Sequence, residues 1–495
     1  MNERIPLDEL KMQYRIVDHE KHASDILFEE LKDNLKYCNN QVFFKYNNIW
    51  SSNTNDTRSY LMNYVMSSDI KIYDDKGNIK PFAQNFSIAK HITETIFNMV
   101  KEIKDDAFYT KFHTSTKCKL VFKDGVLDFI SNEFYEWDSE YLIQNPVYST
   151  LLINRYFKEY FDERTSKKVL ENIEKVKKII KDIFEEQNEK ALHFLSRAYA
   201  GHYEDKDWGV FIGNRNCGKG VLDTLMKTSM EKYTATIPSG IFMYERNSIA
   251  GDEAKKMSWA LDLQFVRLTT TQEINFDNGN KNIKINGVII KKLASGGDLM
   301  LGRKNHQDET QFTIDTKLLI MCNDLPDITP IDTLETCIEF KTFKQFKSKK
   351  YIEERTKELN DLVYGDAKRD ENILLELQKY HEADENIKDE CNKDEIKNAF
   401  ILLLLENYKS YKVPLKSTDF DDENEITLTT HILSNFKITE NDNDKISYKE
   451  LKDLYSVLEL QDSYKKFKAE LIGMGAKEYK DTKGNRGVKG VIKLI

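Results

Sequence analysis

WGVFIGNRNCGKGVLDTLMKTSM, residues 208–230, divides into three parts. Trp208 to Ile212 is apolar enough for a buried strand, Gly213-Asn214-Arg215-Asn216-Cys217-Gly218-Lys219-Gly220 is a turn-forming loop, and VLDTLMKTSM has the apolar spacing of a helix. A G-x-x-x-x-G-K match carries weight only between a strand and a helix, and this one has both. Glycines let the backbone curl so that successive N–H groups and the helix N-terminus face a polyphosphate, while Lys219 sets a point charge on the β- and γ-phosphates. Position 220, where Ser or Thr ordinarily lends a hydroxyl to Mg²⁺, is glycine. Water or Thr224, one turn on, is the available substitute, and Thr224 also reads as an ordinary helix hydroxyl.

Downstream, LQFVRLTTTQEI (263–274) reads as a strand ending at Gln272-Glu273. A carboxylate there can hold Mg²⁺ through water and polarise the water that attacks the γ-phosphate, so Glu273 is the base candidate. A further strand, KLLIMCNDLP (317–326), ends in Asn323, an uncharged amide able to hydrogen-bond that water or the γ-phosphate; Asn before Asp-Leu-Pro is also a turn former. With TCIEF (336–340), these strands make residues 205–345 an α/β nucleotide-binding core.

Around this core the chain has 495 residues, about three domains' worth, with 40% hydrophobic and 32% charged residues, which sets it apart from disordered sequences. Seven Pro and 20 Gly are too few for Pro-rich linkers or turn-dense sandwiches, so much helix is expected. The longest apolar run, Ala399 to Leu405, is far short of a membrane span, and the N-terminal residues mix acids and bases without a leader pattern. Six scattered cysteines without a CxxC pair fit a reducing compartment without structural zinc, and no membrane association is expected. Residues 1–150 alternate helical and β-like stretches (QVFFKYNNIW, and CKLVFKDGVLDFI with a turn at Asp124-Gly125) and read as an α+β domain. Residues 151–204 read as helical: Val169, Ile173, Val176, Ile179, Ile180 and Ile183 form an apolar stripe that needs a partner, either its own chain or a collar between subunits. Residues 346–425 read as charged helix and linker. Residues 426–495 give helix, helix, hairpin, the order of a winged helix, with Gly484 to Gly487 between two strand-like arms. From Lys465 to Lys493 nine Lys or Arg, Lys483, Arg486 and Lys489 among them, face three acids in a chain of net charge −9. That asymmetry suits DNA phosphates, or is simply a solvated basic wing.

The order GNRNCGKG, TTTQE, IKKLASGGDLMLGRKNHQDETQF (290–312) and LLIMCNDLP resembles the superfamily 3 helicases, in particular the poxvirus-type primase-helicase family. The Lys-Lys-Leu-x-x-Gly-Gly-Asp-x-x-x-x-Arg segment is its specific part. LHFLSRAYAGHYEDKDWGVFIG is similar to that family's approach to its ATPase core, and KLVFKDGVLDFISNEFYEW to its N-terminal helicase-associated domain. The resemblance covers the helicase part without the primase domain. It implies an AAA+-like P-loop ATPase core, a mixed α+β and helical N-terminal region, a C-terminal winged helix, assembly into a ring, usually a hexamer, and ATP-driven translocation on single-stranded DNA. By the same resemblance the loop 213–220 would hold ATP, Glu273 would serve Mg²⁺ and water, Asn323 would be the sensor, and Arg303, Lys304 and His306 would grip DNA phosphates from a hairpin. A solvated charged hairpin is the other reading of those three.

Two departures stand out. Besides Gly220, residues 330–340 (PIDTLETCIEF) contain no Arg where the family places one that reaches a neighbouring subunit's ATP; Arg246, Arg303 and Arg355 are the alternatives. The expected function is a replicative DNA helicase acting on single-stranded or forked DNA, with ATP and Mg²⁺, separate primase and polymerase, and a cytoplasmic location, the host's if viral. The rival is a catalytically weakened nucleotide-binding scaffold or loader at an origin or fork. A small-molecule P-loop kinase leaves the Gly-Gly-Asp segment and the basic terminus without a role.

Overall fold

The computed structural model describes residues 15–243, 257–271, 284–303, 309–325, 327–360, 377–413, 436–439, 441, 444–457, 464–473, 476–480 and 486–493. The chain forms two compact units, Met1–Pro414 and Leu415–Ile495.

At the centre of the first unit is a five-stranded sheet: β1 (Trp208–Gly213), β2 (Thr234–Ile237), β3 (Leu268–Thr271), β4 (Lys317–Cys322) and β5 (Cys337–Thr342). All pairs are parallel and the order is β2-β3-β4-β1-β5. Parallel strands are covered on both faces and commonly read as continuous apolar runs, as β4 largely does; β3 is buried throughout as well, although three of its four residues are threonines. One face is covered by α4 (Gly287–Ser295), whose Ile290 and Leu293 join Val210, Leu318 and Ile320 in one core. On the other, Phe184 at the end of α1 (Lys167–Phe184) lies 4.9 Å from Phe211, and Phe194 of α2 (Asn188–Ala200) lies 5.8 Å from Phe340. The α1 stripe is covered within the chain except at Ile179, which is half-buried and lines a cavity: α1 packs on α6 (Asp394–Glu406), which holds the run Ala399–Leu405, buried throughout.

A buried ionic cluster pins the amino ends of β1 and β4. Arg197 makes a two-pronged bond to Asp205 (2.6 and 2.7 Å), and Lys317 pairs with Asp205 (2.8 Å) and with Asp207. Burial opposes ionisation of Asp205, but Arg197 and Lys317 hold its carboxyl far below the usual range.

The structure departs from the sequence reading in four places. The run LQFVR is not strand: a 3₁₀ turn, Ser258–Leu263, precedes β3, which begins at Leu268. The edge strand β2, TATI, was not anticipated. Within 346–425 a short parallel pair, Gln345–Lys347 with Tyr380–Glu382, accompanies the helices. Finally, Gly487 lies inside a strand, Arg486–Lys489, rather than between the arms. The N-terminal residues build small antiparallel sheets and helices in the same compact unit as the core. Arg267 donates to the Thr116 carbonyl (3.0 Å), and Tyr233 accepts from the Val121 N–H (3.0 Å).

The second unit has a helix Tyr448–Val457, a helix Tyr464–Gly473, and a hairpin of Lys477–Lys480 with Arg486–Lys489. Phe436, Ile446, Leu451, Phe467, Leu471 and Val488 form its core.

Candidate nucleotide site

The carboxyl ends of β1 and β4 lie side by side because Cys322 registers with Ile212. Gly213 therefore leads into the loop beside Asn323. In open parallel sheets ligands bind outside the carboxyl ends, where neighbouring strands are connected in different directions. The loop climbs from β1 and turns into α3 (Lys219–Met230) through Gly218, at φ +99°. A Cβ on Gly218 would sit 2.7 Å from Ile183 Cγ1, so both backbone shape and space require glycine. On the far side the Phe346 N–H donates to the Asn216 carbonyl (2.8 Å), tying the loop to the strand Gln345–Lys347.

Lys219 Nζ donates to the carbonyls of Gly213, Asn214 (3.4 Å) and Cys322 (3.4 Å) and to Asn323 Oδ1 (2.6 Å). The two residues picked from separate motifs thus meet directly. Above them is a cavity of about 1010 Å³, the size of sites that hold nucleotide-sized molecules. Arg215, Asn216, Cys217, Gly218, Lys219, Gly220 and Asn323 line it. Asp223, Thr236 and Thr271 form its floor at the strand ends and in α3, with Asp223 paired to Lys227 (2.6 Å). Burial pushes the Cys322 thiol up to about 12, so this neighbour of the lysine stays neutral.

Thr224 Oγ1 donates to the Gly220 carbonyl (2.8 Å), a bond within the helix. Arg303 follows the strand Met300–Gly302, which pairs antiparallel with Thr310–Phe312 between β3 and β4. Arg355 is paired with Glu358 (2.9 Å). Arg486 and Lys489 lie on the C-terminal hairpin, with Lys480 opposite Arg486 and Lys477 opposite Lys489. Glu273, Lys304, His306, Lys483 and Arg246 lie outside the described residues.

Sequence reasoning missed one wall of the cavity. Lys175, Lys178 and Asp182 come from α1, and Glu382, Glu385 and Lys388 from the segment around α5 (Ile387–Cys391). The only sequence signal was the charged outer face of α1; the residues near α5 belong to no motif.

No family model matches the chain. In sequence the chain is similar to “Putative helicase V13” of Sputnik virophage. The two are 26% identical over 426 residues, 83% of this chain and 49% of that relative, so the chain spans about half the relative's length. Among solved structures, the apo NrS-1 C-terminal region aligns over 96% of this chain and all of its own (100%), at TM-score 0.36 and 11% identity. A JCV helicase aligns over 64% of this chain and 68% of its own, at TM-score 0.29 and 11% identity. The fold assignment rests on the sheet described above and not on these alignments. Among the described residues no helix is long and apolar enough to cross a membrane.

Proposed function

We propose that the chain is an ATP-dependent, ring-forming replicative DNA helicase of superfamily 3, poxvirus primase-helicase type, translocating on single-stranded DNA. The observation that carries this reading is the bond between Lys219 and Asn323 at the carboxyl ends of parallel strands, beneath a nucleotide-sized cavity. The residues present fit a triphosphate. Among the described residues Lys219 is held by carbonyls and an amide and by no carboxylate, which suits a cation that serves an anion. When bound, ATP with Mg²⁺ supplies the phosphoanhydride whose hydrolysis drives movement. Gly213, Gly218 and Lys219 would cradle its phosphates, Asn323 would hold the attacking water or the γ-phosphate, and Glu273 would polarise that water and serve Mg²⁺. The similarity to a virophage helicase supports the same reading.

On the DNA side, the hairpin carrying Arg303, Lys304 and His306 would track one strand in an AAA+-like ring, taken as a hexamer. The C-terminal unit, read as a winged helix, would engage the fork through Lys483, Arg486 and Lys489. Its hairpin sets Lys480 against Arg486 and Lys477 against Lys489, like charges in direct opposition that an anionic backbone would relieve. Primase and polymerase would be separate partners, and the setting the host cytoplasm.

The absence of an arginine in 330–340, together with Gly220, favours one alternative, a nucleotide-bound loader or scaffold with weak turnover. Strand displacement on a forked duplex separates them. The helicase reading expects ATP-dependent unwinding abolished by Lys219→Ala; forked-DNA binding without unwinding by the unaltered protein would leave the scaffold.

A further inference from the structure

Gly220 removes the hydroxyl that would ordinarily help to hold Mg²⁺, and another group stands where that side chain would point. A Cβ built on Gly220 lies 3.4 Å from Lys388 Nζ and 3.7 Å from its Cε. Those are ordinary contact distances, so a Cβ alone would fit; the hydroxyl of Ser or Thr, one bond longer, would share the space that the Lys388 ammonium occupies. The ammonium comes from α5, an element that packs against α3 and lines the same cavity as Lys219. Of the other cations lining the cavity, Lys227 is paired with Asp223 (2.6 Å) and Lys178 with Asp182 (2.5 Å), whereas Arg215 and Lys175 make no ion pair among the described residues and neither is the group that faces Gly220. Lys388 makes no ion pair among the described residues, although Glu382, Asp384, Glu385 and Glu390 line the same wall. Glu390 is itself paired with Lys393.

We infer that Lys388 is a second phosphate-binding cation of this site, and that Gly220 is the residue that makes room for it. This rests on the nucleotide-site reading above. The loop would then bring two ammonium groups to one triphosphate, Lys219 from the strand side and Lys388 from the α5 side. Lys388 would bring the second positive charge to the side of the loop where a residue-220 hydroxyl would otherwise stand. Glycine at 220 is a fitted partner of Lys388 and not a defect in the loop. A conventional residue there should impair binding.

The test is equilibrium titration of a fluorescent ATP analogue, with Mg²⁺, into the full chain and its variants. Lys388→Met keeps the stem and removes the charge; loss of one charge-assisted contact should weaken binding about tenfold. Lys388→Arg should restore most of it. Gly220→Ser should weaken binding in the unaltered protein by crowding Lys388, and cost little or nothing further in the Lys388→Met background, a non-additive pair. Lys219→Ala reports on the site itself. Lost affinity in Lys219→Ala with no change in Lys388→Met overturns the inference and leaves the site reading standing. Effects of Gly220→Ser and Lys388→Met that simply add also overturn it. No binding by the unaltered protein overturns both.

Discussion

The Lys219 ammonium is shared among three carbonyls and one side-chain amide, and that amide is the sequence's best sensor candidate. Removing Asn323 Oδ1 by Asn323→Ala leaves the lysine its carbonyls, so nucleotide affinity should stay within about threefold while kcat falls by about 10²-fold, a loss confined to the transition state. Steady-state hydrolysis beside direct binding measures the split; equal losses in both would make Asn323 a structural anchor only. Gly218→Ala puts a Cβ into a positive-φ position 2.7 Å from Ile183 Cγ1. It should cost about 1–3 kcal/mol in denaturant unfolding and impair nucleotide binding as well. At this scale the loop was legible because its residue types and spacing serve one chemistry. Lys388 was not, because its place beside Gly220 is made by tertiary packing between α5 and α3, which no local spacing encodes.

Among the elements, β4 shows how the sheet is held as well as what it carries. Its first residue, Lys317, is buried between Asp205 and Asp207, while its carboxyl end leads to Asn323. Lys317→Met would leave two buried carboxylates with one fewer cation, a change expected to cost about 3–5 kcal/mol in chemical denaturation. A loss under 1 kcal/mol would show that the cluster is solvated. The strands β1 and β4 could be read as apolar runs because both faces of the sheet are covered there, whereas β5 alternates buried and more exposed residues and β3 is mostly threonine. The edge strand β2, four residues with three of them half-buried, carries no such run. The turn before β3 was misread as strand because LQFV is equally apolar in either shape. The hairpin Met300–Gly302 with Thr310–Phe312 could be anticipated only through a resemblance, since neither strand exceeds three residues.

For the molecule as a whole, acid should loosen the first unit through His193. Burial, reinforced by the nearby Arg197 charge, lowers its pKa to about 4, and its Nε2 accepts from the Val413 N–H (3.4 Å), a bond that needs the neutral ring. The unfolded chain takes up that proton near the ordinary histidine value of about 6.5, earlier than the folded one. Stability is therefore full above that pH and falls as pH drops toward 4. Thermal melts across this window should show the decline, and His193→Gln should flatten its contribution; an identical profile in the variant would assign the loss elsewhere. The C-terminal unit should govern salt dependence. Replacing Lys480 and Arg486 by Ala should reduce the slope of log affinity for duplex DNA against log salt by about 2, and an unchanged slope would confine the hairpin to protein contacts. The division at Pro414 falls just before the polar stretch STDFDDENEI (417–426), whereas the N-terminal region's ties to the sheet run through Arg267 and Tyr233, residues unremarkable in sequence. The most direct trial of the account is ATP hydrolysis by the purified chain with and without single-stranded DNA, beside Lys219→Ala. The account predicts DNA-stimulated turnover that the substitution abolishes; turnover by the unaltered protein no greater than that of Lys219→Ala, with DNA present, would contradict it.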